Sequence, residues 1–131
     1  MDNLNNGEIV RAHYNSGTYI GKIIEDRKDR YLIEVLAVEK HPLQGDIHNP
    51  GKVDGVFFHE RKALAYHEKM NVKKPAVKPY TEAVPNYAES LKQAVFHLRE
   101  KLQKEDSDFN RAALQCLDNL EANVYKNIYD K

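Results

Sequence analysis

The chain changes its hydrophobic period near residue 72, and this change limits what it can fold into. Before that point, short segments alternate apolar and polar residues, the period of a half-buried strand. EIVRAHY places Val10, Ala12 and Tyr14 on one face, and in TYIGKIIE Ile20 and Ile24 oppose Tyr19 and Ile23. RYLIEVLAVEK carries aliphatic residues on both faces, and VFFHE and KALAYHE read as a fourth and a fifth strand. Asn15-Ser16-Gly17-Thr18 and Glu25-Asp26-Arg27-Lys28-Asp29 read as turns. Adjacent Phe57 and Phe58 point to opposite faces, so both faces of their strand need cover. Short strands joined by tight turns predict a small antiparallel SH3-like β-barrel over residues 1–70.

Residues 71–86 contain Pro75, Pro79 and Pro85 and read as a stiff extended connector, with Pro85 in the first turn of a helix. Beyond it the period becomes helical. Tyr87, Leu91, Val95, Leu98 and Leu102 form one stripe, and Phe109, Ala113, Leu117, Leu120, Val124 and Ile128 form another. Asp106, Ser107 and Asp108 supply the turn and the cap between them. The expected class is α+β: the barrel, then an antiparallel two-helix hairpin over 87–131. Helices of this length need their stripes buried, on the barrel or on a second subunit, so a homodimer is among the expectations.

The 131 residues suit one domain, and 20 basic residues balance 20 acidic ones, which argues against a nucleic-acid binder. Residues 60–79 are the local exception, with six Lys/Arg against Glu60 and Glu68. Such a run usually marks a solvated face, and a basic face on an SH3-like module is the feature that an alternative role in peptide or nucleic-acid binding would use. Tyr14, Tyr19, Tyr31, Tyr66 and Tyr80 supply aromatic residues for it. Cys116 is the single cysteine, so no internal disulfide forms, and AALQCLDNL makes it a small core residue. MDNLNNGEIV has neither the basic nor the apolar part of a signal peptide, and no apolar run approaches the ~20 residues of a spanning helix. The expectation is a soluble cytoplasmic protein with no direct membrane insertion.

The densest chemistry lies in HPLQGDIHNP, residues 41–50. His41, Asp46, His48 and the later His59 are acceptable ligand types for a divalent metal, which would support a metal-dependent enzyme. Their spacing matches no metal motif, so a proline-stiffened connection organised by Asp46 is the simpler reading. The pairs His59-Glu60 and His67-Glu68 are neighbours on extended chain and face opposite ways, which makes neither an acid–base dyad. No nucleophile elbow or phosphate loop occurs. The chain is therefore expected to have no catalytic residues, no cofactor and no metal. Asp46, His48, His59, Arg61, Lys62 and Tyr80 are its candidate partner-binding residues.

SGTYIGKI, HPLQGDIHNP, FFHERKALAYHE, VKPYTEAVPNYAESL and the closing helices together resemble the kinase-associated protein B family, also called kinase-associated lipoprotein B. The likeness covers roughly residues 7–125. It implies a barrel-like antiparallel sheet with a helical extension. It also implies a role in endospore-forming bacilli, supporting a sporulation sensor histidine kinase that feeds the phosphorelay. No catalytic residues come with the family. The family label says lipoprotein, yet the chain shows no lipobox cysteine, which is a departure from that label. Membrane association is expected only through a membrane-embedded kinase.

Overall fold

A computed structural model describes residues 4–45 and 60–129. Strands β1 (Ile9–Tyr14), β2 (Gly17–Arg27) and β3 (Arg30–Lys40) form an antiparallel meander. Asn15 and Ser16 join β1 to β2 with φ of 47° and 66°. Two successive left-handed residues are what a two-residue hairpin turn requires, because they match the twist of the strands. The turns are thus tighter than the sequence implied: Gly17 and Thr18 belong to β2, as do Glu25, Asp26 and Arg27.

The last two strands lie elsewhere than expected. β4 is Lys69–Lys73, paired with β3, and β5 is Val77–Pro79, paired with β1. A one-turn 3-10 helix, Lys74–Ala76, joins them. In β4, Met70 and Val72 face inward while Lys69, Asn71 and Lys73 face solvent. The expected connector thus contains the end of β4 and all of β5. Pro79 is tolerated because β5 is an edge strand, where a missing N–H breaks no ladder. KALAYHE is not a strand. It is irregular chain that turns at Tyr66–His67, with His67 at φ 72°. The expected strand VFFHE, with Phe57 and Phe58, lies outside the described residues except for Glu60.

The strand order is β4-β3-β2-β1-β5. The sheet curls enough for β4 to touch β1, yet β4 and β5 do not pair, so it is an open sheet and the closed barrel is corrected. Three register shifts between β2 and β3 assist the curl.

Helix α1 (Tyr87–Gln103) lies against β3. Asn86 caps it, its side chain accepting from the Glu89 amide, so Pro85 precedes the cap instead of entering the first turn. Tyr87, Leu91, Val95, Leu98 and Leu102 are buried as the stripe requires. Burying each such leucine contributes roughly 2 kcal/mol. The Ser90 hydroxyl accepts from the Val38 amide and donates to the Tyr87 carbonyl, fixing helix to strand.

Helix α2 (Asp108–Leu120) is capped by Ser107 and returns antiparallel to α1. The Asn110 side-chain amide donates to the Leu102 carbonyl, Arg99 pairs with Asp118 and Glu121, and Lys92 sits over the Tyr129 ring. The second helix is interrupted. A π turn at Glu121–Tyr125 precedes a last short turn, α3 (Lys126–Tyr129). The extra residue slides the buried stripe by one position: Tyr125 is buried, and Val124 and Ile128 are only half-buried. One hydrophobic cluster contains residues of the sheet and of the helices.

Candidate partner-binding surface

The opening of the 41–50 motif is structural. His41, at the end of β3, is 3% exposed. Its Nε2 lies 2.7 Å from the Tyr125 hydroxyl and its Nδ1 2.9 Å from the Pro42 carbonyl. The Tyr125 hydroxyl also accepts from the Ala63 amide at 2.9 Å. One assignment satisfies all four groups. Nδ1–H donates to Pro42, and Nε2 accepts from the Tyr125 O–H. Both ring nitrogens of this neutral imidazole are then engaged, and His41 is not a free metal ligand. Burial pushes its pKa down to about 4, against the pull of the Pro42 carbonyl and Glu121.

That shift makes stability depend on pH. The unfolded chain takes up a proton near 6.5 and the folded chain only near 4. Stability from this site is complete above pH 6.5 and declines as pH falls towards 4. The expected loss is about 2 kcal/mol between pH 7 and pH 5. Urea midpoints over that range, compared with His41→Asn, measure it; equal slopes for the two proteins would refute it.

Gln44 adds a second fastening. Its side-chain amide donates to the Arg61 and Pro42 carbonyls, and its carbonyl accepts from the Arg61 amide. Arg61 Nε donates to the Gly45 carbonyl, and Gly45 has φ 93°. Residues 44–45 and 61, which flank the undescribed 46–59, are thus tied directly together. Tyrosine hydroxyls hold the chain that follows. Tyr19 accepts from the Leu64 amide, and Tyr87 donates to the Leu64 carbonyl. At Ala63 and Leu64 side chains thus stand in for the ladder that a strand in KALAYHE would have had, while His67 and Glu68 bond to the Val35 backbone of β3. Burial raises the pKa of Tyr19, and pushes up those of Tyr87 and Tyr125 more strongly, so all three stay neutral donors and acceptors.

Asp46, His48 and His59 lie outside the described residues. Arg61 and exposed Lys62 are at the fastened stem. Tyr80 follows β5, its amide bonded to the Ile9 carbonyl and its ring under the Arg11 guanidinium. The basic run divides over several elements. Lys69 and Lys73 project from β4, Lys78 lies on β5, and Lys74 pairs with Asp26 at 2.7 Å over the Tyr31 ring. Among the described residues no group of three or more His, Cys, Asp or Glu is placed to hold a metal ion. Cys116 is half-buried, and burial raises its thiol pKa, which disfavours the thiolate. No helix of the described residues is long and apolar enough to cross a membrane.

Two clefts border α1. The larger, about 650 Å³, is open and mostly apolar, with Leu36, Tyr66, Val84, Tyr87 and Ile128 in its walls. Tyr66 and Val84 are exposed there. The smaller, about 310 Å³, lies between the end of β3 and the opposite part of α1. The sequence hid both clefts, and the Gln44 and Tyr125 fastenings, because their parts come from distant segments. The one local signal was Tyr125 beside an apolar stripe.

The family model for kinase associated protein B matches residues 14–125. The chain is 45% identical over 125 residues to the kinase-associated lipoprotein B of Bacillus subtilis (strain 168), covering 95% of this chain and 98% of that protein. It also superposes on the crystal structure of kinase-associated protein B from Bacillus cereus with a TM-score of 0.81 at 35% identity, covering 95% of this chain and 99% of that one. With matching sequence, fold and length, the chain belongs to the kinase-associated protein B family.

Proposed function

We propose that this chain is a non-catalytic accessory protein that binds a sporulation sensor histidine kinase and favours the state that feeds the phosphorelay. Family membership carries the reading, since the matched relatives are named for association with a kinase. The chemistry of the described residues supports it. His41 and the tyrosines Tyr19, Tyr87 and Tyr125 are committed to holding backbone. Meanwhile Leu43, Tyr66, Val84 and Phe96 present apolar surface of the kind that protein contacts use. Membrane localisation, in this reading, comes from a membrane-embedded kinase.

The test is reconstitution with the purified kinase. Autophosphorylation should rise when this chain is added in excess, and the two proteins should co-elute. Absence of both binding and rate change would overturn the proposal.

A further inference from the structure

The smaller cleft combines an apolar floor with a cationic rim. On α1, Ala94, His97, Leu98 and Lys101 follow the i, i+3, i+4, i+7 spacing of a single helix face. Ala94 and Leu98 are buried, while His97 and Lys101 are exposed. The end of β3 and the chain after it supply the other wall, with Lys40, His41 and Leu43. Leu43 is 45% exposed although its amide is held by the Ser16 hydroxyl.

The charge of this site is one-sided. Glu39 is its one carboxylate and is engaged by Arg11 at 2.7 Å. Among the described residues, Lys40, His97 and Lys101 have no ion-pair partner, and the His97 ring lies edge-on to that of Phe96. Two ammonium groups and an imidazole are therefore available around an apolar floor. At about 310 Å³ the space takes one or two side chains, not a folded domain.

We propose that this cleft is the docking site for an acidic segment of the kinase partner. An apolar side chain sits between Leu43 and Leu98, and flanking carboxylates face Lys40, His97 and Lys101. The assignment rests on the kinase-accessory reading for the partner's identity, and on charge complementarity for its chemistry.

The test titrates the full chain with a short peptide alternating leucine with aspartate and glutamate, followed by amide NMR shifts. A lysine-for-acid version of the peptide and inorganic phosphate at equal ionic strength are the controls. The expected result is shifts centred on Lys40, Leu43, His97 and Lys101 with the acidic peptide alone. Binding should weaken about tenfold in the double variant Lys40→Glu/Lys101→Glu, and less in Lys40→Gln/Lys101→Gln. Both lysines are exposed, and an unchanged amide spectrum elsewhere verifies the fold.

No shifts, shifts centred elsewhere, or an equal response to the reversed peptide overturn the site; a matching response to phosphate marks a simple anion site and overturns it as well. Co-elution with the kinase separates the two proposals. If wild type and the charge-reversed variant bind the kinase equally, docking at this cleft fails and the accessory role stands. If wild type binds no kinase, both the accessory role and this partner assignment fall.

Discussion

Tyr125→Phe is expected to lower the folding free energy by about 3 kcal/mol, although it removes one oxygen and almost no volume. The hydroxyl is fully enclosed, between the Ala63 amide at 2.9 Å and His41 Nε2 at 2.7 Å. Phenylalanine fills the same space and offers neither bond. An N–H and an imidazole nitrogen are then both buried without partners, and each costs roughly 1–3 kcal/mol. A urea midpoint measures the total. Hydrogen exchange shows where it acts, because the Ala63 amide should lose protection before the amides of β2 do. A change below about 0.5 kcal/mol would mean that the hydroxyl is not the fastening described.

The same contact explains why HPLQG opens the motif it does. His41 is tied to α3's approach through Tyr125, Gln44 grips Arg61 from both sides, and Gly45 supplies the left-handed turn. A cluster that resembles metal chemistry in the sequence is, in its described part, a joint between the sheet, the helices and the chain resuming at residue 60. This joint also shapes the wall of the cleft beside Lys40 and Leu43. Structure and proposed recognition therefore share the motif. Loss of Tyr125 should disturb binding indirectly, whereas charge reversal at Lys40 and Lys101 should disturb it without a loss of stability.

The legible parts of the fold were those written in local periodicity. β1 and β3 and the middle of β2 carry strand patterning, and α1 shows its stripe without a break, so these appear in the sequence where the structure has them, except for the ends of β2, which read as turns. β4 was obscured because KMNVK contributes only Met70 and Val72 to the core, and β5 because a proline ends it. KALAYHE has the composition of a strand, but the backbone of Ala63 and Leu64 is held by Tyr19, Tyr87 and Tyr125, while only His67 and Glu68 bond to Val35 of β3. Those hydroxyls come from residues 23 to 62 positions away, which no local pattern encodes. The π turn is equally silent: a single inserted residue exchanges Val124 for Tyr125 at the core. The cleft shows the same limit, since Lys40 and Lys101 line one space only because α1 lies along β3.

Gly21→Ala should cost at least as much as losing the Tyr125 hydroxyl, for a steric reason. Gly21 sits in β2 opposite Val35, at one of the register shifts that curl the sheet. A Cβ there would lie 2.5 Å from Ile33 Cγ2 and 2.7 Å from the Glu34 carbonyl oxygen. Ile33 is fully buried in a close-packed core, so its methyl yields only at a cost. The carbonyl belongs to the neighbouring strand, so relief requires β2 and β3 to move apart and weaken the ladder between them. Overpacking of this kind costs roughly 1–3 kcal/mol when side chains alone adjust. Because backbone must also move, the expected loss is about 3 kcal/mol or more, a fall in Tm on the order of 10 °C. Thermal unfolding of the variant provides the check. A Tm within about 2 °C of wild type would show that the two strands can separate freely here, and that glycine is not what permits their close approach.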